Sequence, residues 1–154
     1  MAKMNMIRSI KLALDEEMAR DDSVIVMGED VGKDGGVFRA TDGLYEKYGE
    51  ARVMDTPLAE SGILGTAIGM AVAGLKPVAE MQFSGFSYLM FHQLEGHASR
   101  LRSRSQGQWN VPLVVRMPYG GGVRALEHHS ESREASYAHL PGVKVVIPST
   151  PRNA

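Results

Sequence analysis

Short runs rich in valine and isoleucine alternate along this chain with longer segments of helical periodicity. The helical segments cover residues 4–20, a surface helix by its pattern of charges, and about 41–48, 61–74, 87–105 and 131–138. The five short runs are Val24–Met27, Arg52–Met54, Pro77–Met81, Leu113–Met117 and Lys144–Ile147. This alternation predicts βαβ units, and therefore an α/β fold with a mostly parallel sheet covered by helices on both faces. Right-handed crossovers place the loops after the strands at one edge of the sheet, where ligands usually bind.

Composition excludes several classes of function. The 154 residues carry a formal net charge of −1, so no overall field attracts nucleic acid or an acidic membrane. The absence of cysteine excludes disulfides and thiol catalysis, and it fits a reducing compartment. No segment approaches the roughly 18 apolar residues of a membrane helix, and the N-terminus lacks the apolar stretch of a secretory signal. We therefore expect one domain in the cytoplasm, with neither nucleic acid nor membrane as a partner.

Glu60 is the first candidate site residue. It follows a predicted strand that ends near Asp55, and it stands at the start of a helix rich in glycine and alanine. Position alone favours a carboxylate that complements the helix dipole. The helix is unusual, however, because each interior glycine costs on the order of 1 kcal/mol relative to alanine. Gly65 and Gly69 form a slim face that suits a tight helix or subunit contact.

The loop Gly28–Gly36 follows the first predicted strand and is rich in glycine. It contains neither the G-x-G-x-x-G nor the G-x-x-x-x-G-K-[ST] pattern that cradles phosphates. Its three acidic residues would also repel a phosphate. The loop is therefore interpreted as a structural turn, and a dinucleotide-binding protein is disfavoured.

Aromatic residues and histidines follow the later strands. Phe83 and Phe86 leave the third strand, where an aromatic ring can stack on a flat heterocycle, although the hydrophobic core is the more common place for such a ring. Three glycines at 120–122 lead to His128 and His129, and a histidine can serve as acid, base or metal ligand. The spacing of the five histidines gives no support for a metal site, and we predict none.

Taken together, these segments resemble the β subunits of the 2-oxo acid dehydrogenases, a thiamine-diphosphate-dependent family with a transketolase-like fold. The match runs in order along essentially the whole chain. It is carried by Gly28–Gly32 with Gly35–Arg39, Arg52–Glu60, Pro77–Phe83, His129 with Ser130, and Pro141–Val146 with Pro148 and Ser149. Each segment alone is weak evidence for this family, but five segments in the same order are specific to it.

The resemblance implies that residues 1–154 form the domain that binds the aminopyrimidine of thiamine diphosphate. By this resemblance, Glu60 hydrogen-bonds a ring nitrogen of the pyrimidine and Phe86 stacks on that ring. His129 faces the reacting thiazolium end, so that Glu60 and His129 are the expected catalytic residues. Gln82 and Leu58 complete the expected cofactor-binding set.

The resemblance also implies an enzyme component, oxidising and decarboxylating a 2-oxo acid and passing the acyl group to lipoyl groups of an acyltransferase. In that family the component is an α2β2 heterotetramer with β–β contacts, and the cofactor lies between an α and a β subunit. The α subunit holds the diphosphate and its Mg²⁺. Pyruvate is preferred over branched-chain 2-oxo acids and acetoin by overall resemblance only.

One departure from the family concerns the C-terminal domain that its β subunits carry, which this sequence lacks after the last predicted strand. We therefore expect a fold cut short at its C-terminus, with weak cofactor binding and no turnover in the absence of an α subunit. The alternative is a non-catalytic fragment or interaction module that keeps the fold. A generic nucleotide-binding domain is a third possibility, which the loop sequences disfavour.

Overall fold

A computed structural model describes residues 4–154, so the prediction of one domain over residues 1–154 extends to three residues outside the described part. Four short strands form one sheet in the order β2-β1-β3-β4, and every neighbouring pair is parallel. The strands are β1 (Val24–Gly28), β2 (Val53–Asp55), β3 (Lys76–Glu80) and β4 (Val114–Arg116). The predicted parallel α/β sheet is confirmed.

The last residues of the four strands lie side by side. Gly28 of β1 pairs in register with Asp55 of β2 and with Glu80 of β3, and Glu80 pairs with Arg116 of β4. These four residues form one row across the sheet, which we call the carboxyl edge. Every loop that follows a strand starts from this row, because all neighbouring strands are parallel.

Helices cover both faces because alternate residues of a strand point to opposite sides. On one face, Val24 and Val26 of β1 pack against the helices α1 (Met6–Arg20) and α2 (Leu44–Tyr48). On the other face, Met27 and its neighbours pack against α3 (Glu60–Val72) and α4 (Tyr88–Gln93). α3 buries a stripe at the spacing of an amphipathic helix, formed by Ile63, Leu64, Ala67, Ile68 and Ala71.

Local interactions set the ends of the helices. Asn5 caps α1, since its side-chain oxygen accepts a hydrogen bond from the backbone N–H of Arg8 at 2.9 Å. α2 is shorter than the predicted segment 41–48 because Gly43 and Gly49, with φ of 78° and 77°, end the helical conformation on both sides.

The predicted helix 87–105 is divided into several pieces. A 3-10 turn (Ser84–Ser87) leads into α4, and a π turn (Leu94–Ala98) separates α4 from α5 (Leu101–Arg104). Gly96 lies within the π turn, where a residue of low helix propensity tolerates the wider winding. The predicted helix near 131–138 is reduced to α6 (Glu134–Ala138).

The predicted fifth strand, Lys144–Ile147, is wrong. This segment has no regular secondary structure, and Val146 is 77% exposed. β-branched residues favour a strand only when a neighbouring strand supplies hydrogen bonds and side-chain contacts. Within residues 4–154, the sheet provides β4 with one partner, β3, and none for this segment. In the same described range, the helices are too short or too polar for any of them to cross a membrane.

Candidate active site

The candidate residues follow different strands and are gathered by the carboxyl edge. Glu60 comes five residues after the end of β2, Gln82 and Phe86 follow β3, and His129 lies on the long loop after β4. Glu29 follows β1 directly. Since the four strand ends form one row, the loops that carry these side chains start beside one another.

Glu60 is the first residue of α3 and is only 3% exposed. Its Oε2 atom is buried and has no hydrogen-bond partner within the described residues. A buried carboxyl oxygen without a partner is costly, and such atoms are rare unless a proton or a ligand completes them. The start of α3 is fixed to α4, because the hydroxyl of Ser61 donates to the carbonyl of Leu89. The carboxyl group is therefore held in place with unused hydrogen-bonding capacity.

Glu29 is a site residue that the sequence interpretation missed. Its side chain is also buried, at 6% exposed. Burial raises the pKa of Glu29 above its usual range, and the negative charges of Glu60 and then Asp30 raise it further. The raised pKa of Glu29 favours its protonated form, which suits a site that exchanges a proton with a ligand.

Glu29→Gln is expected to stabilise the protein at neutral pH and to have little effect near pH 4. Because the fold raises the pKa of Glu29, the unfolded chain loses this proton at a lower pH than the folded chain. The cost of ionising Glu29 is absent below the ordinary glutamate pKa of about 4.3, and it grows until the pH reaches the raised folded pKa. Glutamine escapes this cost because it has no proton to lose.

Urea unfolding at several pH values from about 4 to 7 measures the difference in free energy of unfolding between Glu29→Gln and the wild type. Glu46→Gln is the matched control, since Glu46 is exposed on α2. A difference for Glu29→Gln that stays constant across this range would contradict the prediction.

Aromatic side chains surround His129. The centre of its ring lies 4.6 Å from that of Phe83 and 5.1 Å from that of Phe86, with both pairs edge to face. Phe83 is buried, and the centre of its ring lies 5.4 Å from that of Phe38, so Phe83 belongs to the core. Phe86 is half-buried and keeps part of its ring accessible. The structure thus brings Phe86 and His129 together.

The polar contacts of His129 leave one ring nitrogen available. Nδ1 lies 3.1 Å from the carbonyl oxygen of Glu127, to which it donates in the tautomer that carries its proton there. In that tautomer Nε2 has a free lone pair and can accept a proton. The ring is therefore oriented by its surroundings in the way that an acid or base requires.

Gln82 follows β3, and Leu58 precedes Glu60 by two residues. The amide of Gln82 donates to Asp30 at 2.9 Å, which ties the loop after β3 to the loop after β1. Leu58 is 77% exposed and presents an uncovered apolar side chain just before α3. The contacts of both residues with a cofactor stay predictions.

The loop Gly28–Gly36 is held as a structural turn at the carboxyl edge. The carboxylate of Asp55 accepts a hydrogen bond from the backbone N–H of Gly32 at 2.6 Å. A side chain at Gly32 would bring its Cβ within 2.8 Å of the Asp55 carboxyl carbon, so the carboxylate would have to move away from this backbone N–H. Among residues 4–154, no three histidine or acidic side chains gather to hold a metal ion.

A buried ion pair lies at the same edge. Arg116, at the end of β4, donates to Glu80, at the end of β3, and their side chains are 16% and 4% exposed. Burial lowers the pKa of Arg116 to about 10, which still leaves the guanidinium charged at neutral pH. The pair joins β3 to β4 in the row from which the site loops start.

Residues 2–154 match the sequence model of one family, described as the pyrimidine binding domain of transketolase. The chain belongs to this family. Two relatives match the pyrimidine-binding domain over its full 154 residues. It is 55% identical to the "Pyruvate dehydrogenase E1 component subunit beta" of Acholeplasma laidlawii and 54% identical to the "2-oxoisovalerate dehydrogenase subunit beta" of Bacillus subtilis (strain 168). It covers 47% of each, so this pyrimidine-binding domain spans about half the length of these relatives.

The fold of the pyrimidine-binding domain also resembles a solved structure described as "Split gene transketolase, inactive beta4 tetramer". The two share a TM-score of 0.66 and 19% identity, over 91% of this chain and 41% of that one. At this identity the likeness concerns the fold alone. The resemblance to β subunits of 2-oxo acid dehydrogenases, inferred from the sequence motifs, is confirmed by the sequence relatives.

Proposed function

We propose that this domain binds the aminopyrimidine of thiamine diphosphate as part of the β subunit of a 2-oxo acid dehydrogenase, in its decarboxylating component. The observation that carries the proposal is the buried, unpartnered Oε2 of Glu60 at the carboxyl edge. An aminopyrimidine has ring nitrogens that form a hydrogen bond with such a group, and a flat face that packs on Phe86. Glu60 and Phe86 therefore suit the polar edge and the flat face of the aminopyrimidine.

The residues of the site have separate roles in this proposal. When bound, thiamine diphosphate supplies the nucleophile that attacks the 2-oxo group, while the protein orients and polarises it. Glu60 holds or gives a proton at the pyrimidine ring nitrogen, and the neighbouring Glu29 favours keeping a proton within the pair. Gln82 and Leu58 border the ring. His129 stabilises developing charge or moves a proton during acyl transfer to a lipoyl group.

The proposed partners follow from the same assignment. An α subunit holds the diphosphate and its Mg²⁺, a second β chain forms the β–β contact, and a lipoyl acyltransferase accepts the acyl group in the cytoplasm. Pyruvate is the preferred substrate and a branched-chain 2-oxo acid is the alternative. The relatives named for these two classes of substrate are 55% and 54% identical to the chain, so identity does not separate them.

The second candidate function is a non-catalytic interaction module. The face of α3 that turns away from the core supports it, since Gly62, Thr66 and Gly69 are exposed there. A Cβ on Gly69 would meet no atom within 4 Å, whereas one on Gly65 would approach Gln93 at 3.7 Å. The open face is therefore centred on Gly69 and only bordered by Gly65, which refines the slim face predicted from the sequence.

Reconstitution separates the two functions. The purified chain is mixed with an α subunit of a 2-oxo acid dehydrogenase, and reduction of an artificial electron acceptor is followed with pyruvate or a branched-chain 2-oxo acid. We expect activity only in the mixture, with calorimetry showing weak binding of thiamine diphosphate to the chain alone. An α–β complex without activity or cofactor binding would favour the interaction module. Turnover by the purified chain alone would overturn the need for α.

A further inference from the structure

The loop that carries His129 is closed at its base. It runs from residue 119 to residue 131, between β4 and α6, and contains three consecutive glycines. The backbone N–H of Gly120 donates to the carbonyl of Glu131 at 2.8 Å, and the hydroxyl of Ser84 donates to the same oxygen at 3.0 Å. The N–H of Ser84 also donates to Pro118 at 2.9 Å. Both ends of the loop are thus fixed to the 3-10 turn after β3.

The returning part of the loop rests directly on Gly85. A Cβ on Gly85 would lie 2.6 Å from the carbonyl carbon of His128, so only glycine allows this approach. His128 itself has φ of 72°, in the left-handed region that side chains rarely adopt. Such a conformation persists only when surrounding contacts hold it. The loop therefore needs further attachments to stay in this position.

The side chain of Glu131 supplies those attachments. Its Oε2 accepts a hydrogen bond from the hydroxyl of Tyr88 at 2.9 Å, and its Oε1 lies 3.3 Å from Nδ1 of His128. The guanidinium of Arg133 lies 3.3 Å from the centre of the Tyr88 ring and 4.0 Å from Glu131. Tyr88 begins α4, so the carboxylate links α4, the loop and the start of α6.

We propose that Glu131 and Tyr88 form a clasp that positions His129. The clasp fixes the loop on the turn that also carries Phe86, and it thereby keeps the His129 ring between Phe83 and Phe86. The catalytic consequence rests on the proposed function, whereas the placement of the ring can be tested without it. A displacement of about 1 Å in a reacting group can lower a rate by as much as about 100-fold, so small movements of the loop matter.

Nuclear magnetic resonance of the chain tests the placement. The two phenylalanine rings are expected to displace the chemical shifts of the His129 ring protons from free-histidine values. The signal is assigned by its loss in His129→Gln. Glu131→Ala and Tyr88→Phe are each expected to remove most of this displacement. Glu131→Gln is expected to retain it, because the amide oxygen still accepts from Tyr88. The matched control is Glu127→Ala, which removes the same charge from an exposed position of the same loop.

A second pair of variants tests the contact between the loop and Gly85, with a glycine in open space as the control. Gly85→Ala is expected to lift the loop and to remove the displacement, while Gly121→Ala, which faces open space in the same loop, is expected to leave it unchanged. The proposal is overturned if Glu131→Ala leaves the His129 signals unmoved. It is equally overturned if Glu127→Ala moves them as much as Glu131→Ala does.

The kinetic arm uses the assembly reconstituted with an α subunit. Glu131→Ala is expected to lower kcat about 10-fold or more with little change in KM for the 2-oxo acid, and Glu131→Gln is expected to restore most of the rate. Equal rates for Glu131→Ala and the wild type would refute the catalytic consequence. If the wild-type assembly is inactive, the proposed function fails and the resonance experiment still decides whether the clasp exists.

Discussion

Arg116→Met is expected to lower the free energy of unfolding by about 3–5 kcal/mol, the range observed when one partner of a buried ion pair is removed. The variant would leave the Glu80 side chain buried, at 4% exposed, without its guanidinium partner. A domain of this size is stable by about 5–15 kcal/mol, so the loss is a large fraction of the total. This loss reflects the cost of leaving Glu80 buried and unpaired at the carboxyl edge, and it is not the net contribution of the ion pair.

Urea unfolding followed by circular dichroism measures this loss, with Arg20→Met as the matched control. Arg20 pairs with Glu17 on the surface of α1, where the side chains are 72% and 52% exposed. Solvent and salt screen such an exposed pair, so the control is expected to change the free energy of unfolding little. A loss in Arg116→Met no larger than in Arg20→Met would show that Glu80 tolerates burial without its partner.

A double variant separates the pair from its surroundings. Glu80→Leu with Arg116→Met removes both charges and leaves apolar side chains of similar size, which proteins often tolerate well. The double variant is expected to recover much of the stability that Arg116→Met loses. A loss in the double variant equal to the sum of the losses in Arg116→Met alone and Glu80→Leu alone would instead assign the effect to packing.

The sheet could be predicted from the sequence because its strands contain short apolar runs that lie between helices. β1 is buried throughout and β3 is buried from Pro77 onward, as expected for the central strands of a parallel sheet. The same pattern failed for Lys144–Ile147, since an apolar run records a preference for burial and says nothing about whether a neighbouring strand exists. Pairing partners are distant in sequence, and composition does not encode them.

The candidate site was only partly predictable for a related reason. The position of Glu60 at a strand end and helix start is visible in the sequence, and the family motif assigned it a role. From the sequence, Glu29 is only one of three acidic residues that would repel a phosphate. Its burial beside Glu60 depends on the pairing of β1 with β2, which the sequence does not reveal. Its place directly after the central strand β1 was the one local indication. Glu131 and Tyr88 meet across 43 residues of sequence, and no spacing rule predicts that contact.

Glu60→Gln is expected to lower kcat of the reconstituted assembly by about 100- to 10,000-fold, the contribution typical of a positioned group that transfers a proton. Glutamine keeps the size of the side chain and one oxygen, but it can neither give nor take a proton. The fold should not suffer, because Oε2 has no hydrogen-bond partner to lose within the described residues. The thermal unfolding midpoint is therefore expected to stay the same or to rise while activity disappears.

The controls for this prediction distinguish a proton-transfer role from a role in the fold. Glu46→Gln removes a carboxyl group from the exposed surface of α2 and is expected to leave both the rate and the unfolding midpoint unchanged. Calorimetry with thiamine diphosphate shows whether Glu60→Gln still binds the cofactor. Retained binding with lost turnover would place the effect in the chemical step, since binding and proton transfer depend on the carboxyl group in different ways. A near-normal rate would exclude Glu60 from proton transfer, and the buried oxygen of Glu60 would then require another partner.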